Sequence, residues 1–266
     1  MTAPTYRFFD LHVLRTRHVS PAVVRVTLGG QDLAVAVTGG RDQRFKLFLP
    51  HPGQPAPVLP DDRGEGWFAQ WRTQDPSVRA VMRTYTVREL RRDERELDVD
   101  FALHAPGGPA CDWARTARPG DRVAVLGPIT EDNGGVDFRL PDGTDWVLLT
   151  GDTSALPAVA GILASLPAGI PAKVWIEVPQ AEDVQDLPTP ADAEITWLVG
   201  QALLPALRAA PLPPGTPYAW LAGEAGTVRA TRRHLIADRG FGKHTVTFTG
   251  YWRHGATEED LLAELA

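Results

Sequence analysis

The chain has 266 residues, with 27 basic against 33 acidic side chains and a net charge of -6. Its length and an apolar share of 43% support a packed core in one large or two ordinary domains, and exclude disorder as the main state. The acidic balance excludes a general nucleic-acid or membrane-surface binder, and a single cysteine, Cys111, excludes a disulfide framework or a cysteine-based zinc or iron–sulfur site.

Up to about residue 141 the pattern is one of short, alternating, β-branched runs separated by turn residues. They are Phe9–His18, Val23–Leu28, Phe45–Leu49, Thr84–Glu89, Leu97–His104 and Arg122–Leu126. A Pro-rich loop covers Pro50–Asp62, and short helices are expected near Gly66–Gln70 and Ala110–Thr116. Such spacing predicts a small antiparallel barrel or sandwich over residues 1–141. Leu140–Asp145 is turn-rich and reads as a linker. From residue 145 the rhythm changes. Strands at Trp146–Thr150, Lys173–Val178, Glu194–Val199, Tyr218–Ala222 and His244–Thr249 alternate with helices at Leu156–Leu166, Leu203–Ala209, Gly226–Arg239 and Glu258–Ala266. This predicts a parallel-sheet α/β domain over 145–266, with ligands outside the carboxyl ends of its strands. No stretch reaches membrane-spanning length and the N-terminus has no signal-peptide pattern, so the expectation is a cytoplasmic protein without membrane insertion.

Five segments could carry chemistry. On a strand, Arg83 and Tyr85 share one face and Thr84 and Thr86 the other. An arginine can clamp a pyrophosphate, a tyrosine can cover an aromatic ring and a threonine can bond a ring nitrogen, which are three needs of a bound flavin. The same four residues also suit an ordinary half-buried strand. The segment from His104 to Ala114 places Gly107 and Gly108 before a short helix, where backbone N–H groups can approach an anion; a tight turn beside a core tryptophan is the plain alternative. Gly151-Asp152-Thr153-Ser154 follows a strand and opens a helix that Thr153 or Ser154 can cap, at the first βα junction of the sheet. Gly223 and Glu224 end a later strand, where Glu224 either faces a ligand or complements the next helix dipole. Tyr251, Trp252 and Arg253 end the last strand and either line a pocket or seal a C-terminal helix. No metal-ligand spacing, nucleophile elbow or phosphate-loop lysine is present in the sequence, so the metal set is empty and hydrolysis has little support.

Taken in order, MRTYTVR, HAPGGPACDWA, GDTSALPAVAGIL, WLAGE and GYWRHG resemble the siderophore-interacting protein family, flavin-dependent ferric-siderophore reductases within the ferredoxin-reductase superfamily. The resemblance runs from about Val13 to the C-terminus. It implies an FAD-binding β-barrel followed by an NAD(P)H-binding α/β domain. By position it assigns Arg83, Thr84, Tyr85 and Thr86 to the flavin strand, and His104, Gly108, Pro109, Ala110 and Trp113 to the second flavin segment. It sets Asp152 and Thr153 near flavin and nicotinamide, and Glu224 and Trp252 on the cofactor side. Cys111 stands where the family usually has serine. Lys46 and Arg253 match basic positions on the substrate face, where cations would concentrate an anionic ferric chelate.

The function implied is electron transfer from NAD(P)H, or from an electron-carrier protein, through FAD to a ferric siderophore. Reduction releases iron because ferrous iron binds hard oxygen chelators more weakly. Between Lys173 and Arg208 the chain has no basic residue but carries Glu177, Glu182, Asp183, Asp186, Asp192 and Glu194, which favours NADH; Arg229, Arg232 and Arg233 leave NADPH open. A general flavin reductase or diaphorase, and a siderophore-binding protein without redox work, are the alternatives.

Overall fold

A computed structural model describes residues 4–61, 63–105 and 107–256. The chain divides into two compact units, Met1–Val136 and Asp137–Ala266. Phe138 is buried in the core of the second, edge-on to Tyr218, and Leu140 packs against the same core. The turn at 141–145 therefore lies inside the second unit. The terminal helix expected over Glu258–Ala266 lies outside the described residues.

The first unit is a seven-stranded sheet in the order β4-β3-β7-β1-β2-β6-β5, with every named pairing antiparallel. Its strands are β1 (Tyr6–Ser20), β2 (Val23–Gly29), β3 (Arg44–Leu49), β4 (Val81–Thr86), β5 (Glu89–Arg91), β6 (Glu96–Ala102) and β7 (Arg122–Pro128). Alternate residues point inward, as the pleat requires. Phe9, Leu11, Val13, Val24, Val26, Leu28, Phe45, Leu47, Leu97, Val99, Phe101, Val123 and Val125 form one core. On the outside, α1 (Trp67–Thr73) lays Trp67 edge-on against Phe8 and Phe48. α2 (Pro109–Thr116) packs on β2, β4 and β6.

The sheet is a half-barrel. β4 and β6 approach each other without pairing, and the strand expected over Thr84–Glu89 is two strands. The reason is a change of partner: Val87 N–H bonds Gln43 O on the β3 side, and the next residue, Arg88, bonds Asp98 O on β6. The alternation survives in sequence, but the pairing moves from one end of the sheet to the other.

The outward faces of β1, β2, β5 and β6 carry a charge ladder. Arg91 bridges Glu96 and Asp98, Arg15 holds Glu96 through two bonds, and Arg25 holds Asp100 through two more. The Arg15 hydrogen bonds, with Arg91 beside them, pull the Glu96 carboxyl down to about 2. Burial pushes Asp98 up, but hydrogen bonds from Arg91 and Thr27 outweigh it and leave Asp98 below its ordinary value.

The second unit is a five-stranded parallel sheet in the order β10-β9-β8-β11-β12. Its strands are β8 (Trp146–Asp152), β9 (Pro171–Val178), β10 (Asp192–Val199), β11 (Pro217–Glu224) and β12 (Val246–Trp252). The helices are α3 (Leu156–Ser165), α4 (Leu203–Ala209) and α5 (Ala225–Asp238). The middles of the central strands are apolar (residues 147–149, 174–176 and 218–222) because both sheet faces are covered, by one core around α3 and another around α4 and α5. The chain starts in the middle, winds outward through β9 and β10, then returns to β11. The switch point therefore falls between β8 and β11. Among the described residues no helix is long and apolar enough to cross a membrane.

Arg91→Ala is expected to cost about 1–2 kcal/mol at pH 7, the scale of lost charge-assisted hydrogen bonds at a part-exposed site. Glu96 and Asp98 titrate lower folded than unfolded. Their stabilisation is present above the ordinary carboxylate range and disappears as pH falls towards about 2 for Glu96. Urea unfolding of both proteins at several pH values checks this: the variant's loss should shrink as pH falls through that window.

Candidate functional site

In the first unit, among the described residues, β4 pairs with β3 alone, and its other edge carries no strand. Arg83 and Tyr85 fall on its inward face and Thr84 and Thr86 on the other, as the alternation requires. Tyr85 is half-buried. Its ring lies 4.5 Å from that of Phe101, which lies 5.6 Å from Trp113 on α2. Phe45 completes the row at 6.5 Å from Tyr85. The rings fill the gap that backbone pairing leaves between β4 and β6. Arg83 anchors one guanidinium nitrogen on Met82 O at 2.8 Å. Thr84 is exposed and Thr86 buried.

α2 lies over this gap, with Trp113 against Phe101. Gly108 is its N-cap in extended conformation, with no side-chain cap, and Pro109 occupies the first turn. A side chain at Gly108 would meet nothing within 4 Å, whereas one at Gly107 would strike Asp112 and Cys111. Gly108 thus leaves room beside a helix start that no side chain caps, at the positive end of the helix. The loop before them is held by His104 O, which accepts from Arg115 at 2.9 Å and from the Cys111 thiol at 3.6 Å. The His104 ring is exposed and Ala110 is buried in the core. An uncapped helix start, a guanidinium on the neighbouring edge strand and an aromatic row fit a dinucleotide with a flat ring system. Lys46 lies across from Thr84 and donates to its hydroxyl at 2.7 Å, which sets it on the sheet face opposite Tyr85.

In the second unit the carboxyl edge is built on Asp152. One carboxylate oxygen accepts from Ser154 N–H at 2.9 Å and from the Ser154 hydroxyl. The other accepts from Glu224 N–H at 3.0 Å and from the Trp252 indole at 2.7 Å. One side chain therefore ties together the ends of β8, β11 and β12. Asp152, rather than Thr153 or Ser154, makes the capping bond at this junction. Trp252 stays exposed, and Thr153 and Arg253 are half-buried. Gly223 makes the arrangement possible. Its φ is +132, and a Cβ there would lie 2.7 Å from Asp152 Oδ2.

Glu224 caps α5 by accepting from Thr227 N–H at 2.7 Å. Burial pushes its carboxyl up, but backbone N–H donors from Thr227, His254 and Gly226 hold it below its ordinary value. Glu177, read from sequence only as one acid among six, proves part of this edge. It is the register partner of Asp152, and its Oε1 accepts from Leu203 N–H at 2.6 Å. Burial raises its pKa, and the Asp152 and Glu224 carboxylates add to the rise. Glu177 and Glu224 line a cavity of about 360 Å³ with the first residues of α4 and α5. The signal for Glu177 was its place one residue before the end of the second parallel strand. Among the described residues, no cluster of three or more acidic, histidine or cysteine side chains is arranged to hold a metal ion.

Residues 12–132 match the siderophore-interacting FAD-binding domain, and residues 144–255 match the siderophore-interacting protein family. The chain belongs to the siderophore-interacting protein family. It is 34% identical to ferric vibriobactin reductase ViuB of Vibrio cholerae over 257 residues, 94% of this chain and 90% of that protein. It also matches the crystal structure of the siderophore-interacting protein SipS from Aeromonas hydrophila, at 35% identity and a TM-score of 0.79, covering 98% of this chain and 97% of that one. A siderophore utilization protein from T. fusca matches at 33% identity and a TM-score of 0.77, with 95% of each chain covered. The half-barrel and parallel sheet are thus the ferredoxin-reductase-like fold of a siderophore-interacting protein, and its first unit is an FAD-binding domain.

Gly223→Ala tests the edge of the parallel sheet. The substitution is strained at this φ and displaces the Asp152 carboxylate, for an expected loss of about 1–3 kcal/mol. Thermal unfolding checks it, and tryptophan fluorescence should shift as Trp252 loses its carboxylate partner.

Proposed function

We propose that this protein reduces ferric siderophores, with FAD held by the first unit and a reduced nicotinamide dinucleotide received by the second. The observation that carries this reading is the uncapped start of α2 beside the edge strand bearing Arg83 and Tyr85. The similarity to ferric vibriobactin reductase along 94% of the chain supports the substrate class.

Bound FAD supplies the conversion of a two-electron donor into one-electron delivery to iron. The chain's own residues bind and orient. In this reading the N–H groups of Ala110 and Cys111 and the Arg83 guanidinium take the pyrophosphate of the cofactor. Gly108 leaves room for the phosphates, and Pro109 costs nothing at a position whose N–H would be unused by the helix. His104 stands at the mouth of the loop. Tyr85, braced by Phe101 and Trp113, offers a ring whose tilt is set before the cofactor arrives. Thr84 and Thr86 offer hydroxyls on the other face of the strand.

Iron enters and leaves as substrate, inside its chelator. Lys46 and Arg253 serve as the cations that draw an anionic chelate, and Thr84 steadies the Lys46 ammonium. On the second unit, Asp152, Thr153, Glu224 and Trp252 shape the edge that receives the nicotinamide dinucleotide. A cytoplasmic location accords with that donor.

The test is a visible spectrum followed by anaerobic turnover. Purified protein, reconstituted with FAD, is expected to be yellow, to bleach with NADH or NADPH, and to recover colour on addition of a ferric catecholate or hydroxamate chelate. Free riboflavin in place of the chelate should be a poor acceptor; efficient turnover with it would point to a general flavin reductase instead. A preparation that binds chelate but never FAD would point to a siderophore binder without redox work. Arg83→Ala should weaken FAD retention about ten- to a hundredfold, the scale of one lost charge-assisted phosphate contact; equilibrium dialysis of FAD measures it.

A further inference from the structure

The parallel sheet offers several helix starts near its carboxyl edge, and these are the usual seats for phosphate. Here carboxylates of the chain itself occupy them. Asp152 accepts from the turn that leads into α3, Glu177 from the first N–H of α4, and Glu224 from the first turn of α5. The cavity between α4 and α5 is lined by Glu177, Leu203, Leu204, Glu224, Thr227 and Ala230, and none of its described lining residues is basic.

Such a cavity discriminates by charge and by hydrogen-bond type. A carboxylate accepts and does not donate, so it welcomes a hydroxyl and opposes a second anion. Asp152 already accepts four bonds, and Glu224 accepts from three backbone N–H groups. Glu177 accepts one, through Oε1. Its second oxygen keeps its acceptor capacity for a ligand. Burial is the main cause of the raised Glu177 pKa, and the Asp152 and Glu224 carboxylates, whose negative field an incoming phosphate would also meet, add to it.

We infer that Glu177, seconded by Glu224, selects the electron donor: this edge takes the unphosphorylated ribose diol of NADH and refuses the 2′-phosphate of NADPH. The inference rests on the reading above that this unit receives a nicotinamide dinucleotide. It assigns Glu177 as a specificity residue that touches the adenosine ribose. An acidic side chain near the end of the second strand of such a sheet is placed for that contact.

The test pairs binding with reduction. Calorimetry with ADP-ribose and with its 2′-phosphorylated form, on FAD-loaded wild-type protein, should show at least tenfold tighter binding of the unphosphorylated probe. Glu177→Gln keeps an acceptor for Leu203 N–H and removes the charge. It should narrow the ratio about tenfold, by weaker ADP-ribose binding and better tolerance of the phosphate. Glu224→Gln is the second variant, expected to move the ratio the same way by less, and it keeps the test open if Glu177→Gln does not fold. Anaerobic flavin reduction by NADH and NADPH should follow the same order in all three proteins. Equal or tighter binding of the phosphorylated probe by wild type, or a ratio unmoved by both variants, overturns the inference. If the probes discriminate as expected but neither nucleotide reduces the flavin, the donor reading fails while the specificity of the pocket stands; if neither probe binds, both fail.

Discussion

A strand at the end of a sheet must leave one row of backbone groups without a strand partner, and the first unit is organised around where that row is placed. The chain gives up β3 as a neighbour at Val87 and takes β6 at Arg88, two consecutive residues bonded to opposite ends of the sheet. The covalent chain, not a hydrogen-bond ladder, joins the two ends. β4 and β6 can then come close without pairing, and side chains fill the seam. Tyr85 on Phe101 and Phe101 on Trp113 are that filling, and the helix carrying Trp113 lies over it. Without the change of partner, an edge strand with Arg83 and Tyr85 would not stand beside an uncapped helix start.

The same electrostatic rule is used with opposite sign in the two units. Helix starts are positive, and a nearby anion is stabilising whether it is a ligand or a side chain. At α2 the chain supplies glycine and proline and leaves the positive end open. At the α3 junction, α4 and α5 it supplies Asp152, Glu177 and Glu224. On the proposed function, this pattern sets where an anionic group is admitted and where it is kept out, independently of overall charge.

Much of this was legible in sequence because it is local. Alternation marked the half-barrel strands apart from β5, which the sequence reading merged into the Thr84–Glu89 run, and the alternation of short strands with helices marked the parallel sheet. That Arg83 and Tyr85 share one face and Thr84 and Thr86 the other followed from the pleat alone. What escaped notice depends on partners distant in the chain. Thr84–Glu89 alternates as one strand, and only its neighbours split it. Thr153 and Ser154 are as good at capping as Asp152. The choice falls to Asp152 because Gly223 leaves space for its carboxylate and Trp252 and Glu224 N–H point at it from strands 70 to 100 residues away. Glu177 could be counted among acids, but its pairing opposite Asp152 is a fact of parallel register.

Three carboxylates on one sheet edge repel one another, and the edge holds because donors were placed to match. Asp152 receives backbone, hydroxyl and indole donors, and Glu224 receives three backbone N–H groups; the pKa of Glu224 falls although it is partly buried. Glu177 receives a single N–H and is displaced the other way. The difference is one of solvation: a buried charge is tolerated in proportion to the donors that replace water. Of the three, Glu177 is the one whose solvation by protein is least complete, and a hydroxyl-bearing ligand would complete it. A group under-supplied with donors at the mouth of a cavity is where binding energy can be gained by hydrogen bonds the free protein does not make, so the asymmetry among these acids locates specificity at Glu177 rather than at its better-satisfied neighbours.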